Sequence, residues 1–179
     1  MSVTELNQYR QSAWTQFARR SAVWKYARTM AAASKRVLLL NGPNLNLLGE
    51  REPAVYGTAT LADHLASATQ AASEVGLAVD SVQSNSSSEL VNAIHAARKT
   101  HDAIVINPGA FTHYAWSIHD ALAAFSGPVI EVHISNPSSR ESWRHESVVA
   151  PVAAGTIAGF GGFGYVLAMQ AVARILAAK

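Results

Sequence analysis

The chain has 179 residues, 49% of them hydrophobic and 15% charged. That balance supports one domain with a proper core and excludes a disordered or collagen-like chain. The net charge of +2 would suit a nucleic-acid or membrane partner, but it is unevenly spread: residues 1–36 hold seven of the 14 Lys and Arg and one of the 12 acids, so the segment carries +6 and the rest −4. Neither nucleic acid nor membrane is therefore expected as a partner of the body of the chain. The absence of cysteine excludes disulfides, thiol nucleophiles and Cys-ligated metal. No apolar run approaches the ~20 residues of a membrane span, and no charged-then-apolar secretory pattern opens the chain. A soluble, cytoplasmic protein is the expectation.

In chain order, Val37–Leu40 is apolar throughout and stops at the turn cluster Asn41-Gly42-Pro43-Asn44, which reads as a first strand. A helix follows over 60–75, with Thr60 as cap, Asp63 three residues on, Leu61, Leu65, Ala68 and Ala72 on one face, and Gly76 as terminator. Leu77–Val82 reads as a strand. A second helix runs to Ala97 from a cap at Ser88 or a neighbour, with Leu90, Ile94 and Ala97 inward. Ala103–Ile106 is a buried-type strand ending at Asn107-Pro108-Gly109. Ala115–Phe125 reads as a third helix, Pro128–Ile134 as a fourth strand, Thr156–Phe160 as a fifth, and Tyr165–Leu176 as a last helix. Strands alternating with helices predict an α/β fold with a parallel sheet covered on both faces, here a five-stranded flavodoxin-like sheet. Its ligands are expected beyond the carboxyl ends of the strands.

Three strand ends are unusually polar. The first carries Asn41 to Asn44 and then Gly49 to Gly57, with Arg51 and Tyr56 inside it. The second carries Asn107 to His113. The third carries Glu131, His133, Ile134, Ser135 and Asn136, with Arg140 and Arg144 beyond. Each has an ordinary reading, as turn formers, a structural histidine or a solvated charge run. Their convergence on one sheet edge favours a site. The stretch of about 18 residues after the first strand is long for such a connection, and Gly49 and Gly57 could hinge it as a lid. The glycines from Gly155 to Gly164 give only a weak dinucleotide pattern, at the wrong strand, and His113 and His133 lack a carboxylate at metal-ligand spacing. No metal is expected.

With these residues in view, the chain resembles the type II 3-dehydroquinate dehydratases. The stretches LLLNGPNLNLLGEREPAVYG (38–57), VINPGAFTH (105–113), IEVHISN (130–136) and GFGGFGY (159–165) carry the resemblance, with Arg140 and Arg144 between the last two. It covers residues 36–179. It implies a cofactor-free anti elimination of water from 3-dehydroquinate through an enolate, in aromatic amino acid biosynthesis or quinate breakdown, by a trimer-based dodecamer. It further implies Tyr56 as the base, Arg51 as the lid cation beside it, Asn44 as part of an oxyanion site and His133 as the general acid. Glu131, two residues before His133, would support that imidazole. Asn107 and the amides of Ile134 and Ser135 would seat the substrate carboxylate. His113 and Arg144 would bind ring hydroxyls, and Asp120 would reach a neighbouring subunit's site. The chain departs from the commoner family pattern at Ser86 to Ser88, at Tyr114-Ala115-Trp116, at His119 and at Pro137-Ser138-Ser139. A flavodoxin-like module binding a nucleotide or FMN, or an inactive scaffold paralogue, are the rival readings.

Residues 1–35 lie outside the resemblance. Leu6, Tyr9, Ala13, Phe17, Trp24, Ala27 and Ala31 fall near one helical stripe, interrupted by Arg20. This N-terminal arm reads as a basic amphipathic helix that docks on a neighbouring subunit, binds an anionic surface, or acts as an organellar transit peptide; alternatively Met30 is the true start.

Overall fold

The computed structural model describes residues 34–50 and 57–178. Residues 1–33 of the N-terminal arm, with Arg51 and Tyr56, lie outside them. Five strands, β1 (Lys35–Asn41), β2 (Leu77–Gln83), β3 (Ala103–Asn107), β4 (Val129–His133) and β5 (Gly155–Ala158), form one sheet. The order is β2-β1-β3-β4-β5 and every pairing is parallel, which is the expected flavodoxin-like arrangement.

Strand alternation sorts the aliphatic side chains onto two faces. Val37, Leu39, Val105, Ile130 and Val132 pack with α1 (Leu61–Glu74) and α4 (Phe163–Ala177). Leu38, Leu40, Ile104, Ile106 and Val129 pack with α2 (Ser87–Ala97) and α3 (Trp116–Ala123). The β1 residues Val37 to Leu40 are almost fully buried because both faces are covered.

Local chemistry sets the helix ends. Thr60 and Asp63 form a reciprocal capping box at α1. Ser86 caps α2 by accepting from the Glu89 amide, so the serine run departing from the family pattern serves as a helix start. The first two residues expected in the third helix are not both helical: Ala115 has ψ 76, and α3 begins at Trp116. The fifth strand stops at Ala158 instead of Phe160. Gly159 turns the chain there with φ +87, where an added Cβ would meet Asn136 Cβ at 3.1 Å.

Two turns are latched together at the carboxyl edge. The Gly42 amide donates to the Asn107 carbonyl at 2.8 Å, and a Cβ at Gly42 would meet the Pro108 carbonyl oxygen at 2.2 Å. Only glycine permits that approach. Behind them, buried Tyr165 of α4 donates its hydroxyl to Asn41 Oδ1 at 2.7 Å and accepts from Asn107 Nδ2 at 2.9 Å. One phenol thus fixes the ends of β1 and β3. Burial, only partly offset by the Asn107 hydrogen bond, pushes that phenol well above the ordinary tyrosine range.

Candidate active site

The carboxyl ends of β1, β3 and β4 enclose a cleft of about 140 Å³. Asn44, Asn107, His113, His133, Ile134, Ser135 and Arg144 all line it, so seven of the sequence-derived candidates come together. Pro43, Leu45, Leu48 and Gly109 form its apolar and backbone walls. Asp120 stands exposed on α3, outside the cleft of its own chain.

Several of these residues are held by definite devices. Asn44 adopts φ +64, a left-handed conformation that asparagine tolerates better than most residues. Its amide donates to Asn85 Oδ1 at 2.9 Å, and Gln83 Nε2 donates to the Gly42 carbonyl at 3.2 Å, so the end of β2 buttresses the first turn. Asn107 gives one N–H to Tyr165 and accepts at Oδ1 from the Gly109 amide, which fixes its amide plane. His113 donates Nδ1–H to the Glu146 carbonyl at 2.8 Å, leaving Nε2 as an acceptor in the neutral ring. Its ring meets Trp143 edge to face, with centroids 5.2 Å apart.

Among the described residues, the loop after β4 supplies the positive charge. Arg144 stacks over the Trp143 ring at 4.0 Å and donates to Glu141 at 2.7 Å. Arg140 approaches the same carboxylate at 3.7 Å and lines the cleft with Arg144. Glu141 is held below the usual carboxylate range, first by its own backbone amide and then by Arg144. Sequence reasoning placed Arg140 in the third polar strand end without giving it a role, and missed Trp143. Tryptophan in an aperiodic loop of short 3₁₀ turns carries no pattern that assigns it to a cleft.

Glu131 is the most unusual residue of the site. It is completely buried and pairs in register with Ile106 on one side and Thr156 on the other. Its Oε1 receives His133 Nε2 at 2.8 Å and Thr112 Oγ1 at 2.5 Å. Ser147 Oγ lies 2.9 and 3.0 Å from its two oxygens, and Thr156 Oγ1 lies 3.5 Å from Oε2. Burial pushes this carboxyl up, yet the His133 interaction, aided by Thr112 and Ser147, outweighs burial and holds it below its ordinary value. His133 therefore sits between an ionised carboxylate and the cleft. Because Nε2 is committed to Glu131, Nδ1 is the ring nitrogen left for a ligand. An imidazole nitrogen at Nδ1, an asparagine in a left-handed turn and two guanidinium groups suit an anionic, hydroxylated ligand.

Comparison with known proteins agrees with this chemistry. A family model described as dehydroquinase class II matches residues 35–173. A protein of Desulforudis audaxviator named 3-dehydroquinate dehydratase is 51% identical over 141 residues, 79% of this chain and 94% of its own. One of Bacillus cereus with the same name is 54% identical over 138 residues, 77% of this chain and 94% of its own. The crystal structure of a type II dehydroquinase from Propionibacterium acnes superposes with a TM-score of 0.76 at 47% identity, covering 79% of this chain and 97% of that one.

Proposed function

This chain belongs to the class II dehydroquinase family, and from that premise we propose that it converts 3-dehydroquinate to 3-dehydroshikimate by anti elimination of water. The observation that carries the assignment to this cleft is the buried Glu131–His133 pair, which presents one imidazole nitrogen to a cleft lined by cations.

In the proposed reaction Tyr56, as tyrosinate, takes a proton from the carbon next to the ketone. A free tyrosine has a pKa of about 10, so lowering it by ~3 units needs about 4 kcal/mol of preference for the anion. Arg51, five residues away, supplies a nearby positive charge for that purpose. The resulting enolate oxygen is stabilised by the Asn44 amide through a water. The carbon–oxygen bond then breaks with transfer of the Nδ1 proton of His133 imidazolium to the departing hydroxyl, which leaves as water. Glu131 compensates the imidazolium charge until that transfer. Turnover closes when Tyr56 loses its proton and His133 regains one from solvent. Asn107 and the amides of Ile134 and Ser135 hold the substrate carboxylate. His113, through Nε2, and Arg144 hold ring hydroxyls. No cofactor or metal takes part in this scheme.

Asp120 belongs, in this reading, to the site of a neighbouring copy, within a trimer-based dodecamer. The enzyme works in the cytoplasm, in the shikimate pathway or in quinate breakdown; among the described residues no helix is long and apolar enough to cross a membrane. The test is direct: purified protein is mixed with 3-dehydroquinate and the conjugated enone followed by ultraviolet absorbance. Turnover supports the reading, and a folded protein that produces no enone overturns it.

A further inference from the structure

A carboxylate in the middle of a sheet row demands donors, and the directions of those donors can be worked out here atom by atom. The Ser147 oxygen accepts from the Val149 amide at 3.0 Å and from the Ala150 amide at 2.9 Å. A hydroxyl has two lone pairs and one proton. Both lone pairs are taken, so the Ser147 proton points at Glu131 or at the Thr112 oxygen. Thr112 Oγ1 lies 2.7 Å from Ser147 Oγ but finds no free lone pair there, so its proton goes to Glu131. Ser147 therefore has no lone pair left to accept a proton from the carboxyl. These hydroxyl protons favour the ionised form of Glu131, and an ionised Glu131 only accepts, so His133 donates to it through Nε2.

We propose that Thr112 and Ser147 are positioning residues for the elimination, fixing His133, by way of Glu131, in the orientation and tautomer that presents Nδ1 to the substrate. Neither touches the cleft through which the substrate enters. The arrangement has a chemical consequence. Once His133 has delivered its Nδ1 proton, the neutral ring left behind is already the Nε2–H tautomer that Glu131 holds. No tautomer exchange stands between one turnover and the next. Without the two hydroxyls, a buried Glu131 would favour its protonated form and could donate to Nε2, placing the imidazole proton on Nδ1 of a neutral, weakly acidic ring.

This inference rests on the reading of His133 as general acid, and the experiment separates the two. Thr112→Val keeps shape and removes one donor without touching the backbone bonds of Ser147. The expected result is a fall in kcat of about tenfold, the order of one hydrogen bond to a charged group, with KM within about twofold. Thr112→Ser should restore most of kcat. In a His133→Ala background Thr112→Val should add almost nothing, because the route it acts through is already gone. Wild-type kcat in Thr112→Val, or an undiminished effect on top of His133→Ala, overturns the proposal while leaving the dehydratase activity standing. Absence of turnover in the wild-type protein overturns the activity itself. If Thr112→Val does not fold, Ser147→Ala is judged by the same kcat, KM and double-variant criteria.

Discussion

Glu131 occupies a position where the alternation of β4 asks for an aliphatic side chain, next to Ile106 in register. Its burial is tolerable only because neighbouring donors meet the charge, and this gives it a signature in stability as well as in chemistry. The folded-state carboxyl lies below its unfolded value, so its contribution is present above about pH 4.3 and is lost as pH falls through that range. Glu131→Gln should therefore flatten the acid side of a stability profile measured by denaturant titration between about pH 3 and 6. An unchanged slope would remove Glu131 as its source. At the same scale, Tyr56→Phe is expected to abolish turnover while leaving substrate binding measurable by calorimetry. Near-normal kcat in that variant would exclude Tyr56 as the base.

At the scale of elements, α4 is tied to the catalytic edge by Tyr165. Tyr165→Phe removes the partner of both Asn41 Oδ1 and Asn107 Nδ2 in a buried setting, and should cost about 1–3 kcal/mol in a denaturation experiment. The raised phenol adds a pH dependence. Stability from keeping it neutral is complete below about pH 10 and declines above, because the unfolded chain ionises first. That alkaline decline should be smaller in Tyr165→Phe; an equal decline would assign it elsewhere. The elements themselves were largely legible. Apolar runs bounded by Asn-Gly and Asn-Pro placed β1 and β3, and a 3.6-residue period placed Leu90, Ile94 and Ala97 inward on α2, where they are buried. Asn44, His113, His133 and Arg144 could be gathered because they follow strands whose ends must share an edge. Thr112 and Ser147 could not be given their role, since it depends on the path of residues 137–152, three short 3₁₀ turns with no period. His64 was equally hidden: absent from the face read as Leu61, Leu65, Ala68 and Ala72, it is buried on α1 against the Tyr165 ring, 5.9 Å between centroids.

For the whole molecule, charge divides along the sheet. Lys35 and Arg36, counted within the basic segment, are paired with Asp102 at 2.7 Å and Asp80 at 2.6 Å at the start of β1, the edge opposite the cleft. These are exposed pairs, of small value to stability. Among the described residues, the cations facing the cleft are instead Arg140 and Arg144 on the β4 loop. The family match begins at residue 35, the first residue of β1. A chain starting at Met30 is therefore expected to keep its melting temperature and its kcat; a loss beyond about tenfold would assign the arm a part in the site. Light scattering should give a mass that is a multiple of three chains. Asp120→Ala should raise KM if a neighbouring copy contributes to each site, and an unchanged KM would remove that role.

The bond between Tyr165 and Asn41 spans 124 positions of sequence. During synthesis at ~5–20 residues per second, the ribosome takes about 6 to 25 s to travel between them. For that interval the end of β1 has no Tyr165 to claim it, the end of β3 waits about half as long, and a nascent chain that has not yet released α4 has no completed floor beneath its cleft. Competence in this protein is thus conferred late in translation, by a helix that itself supplies none of the reacting groups.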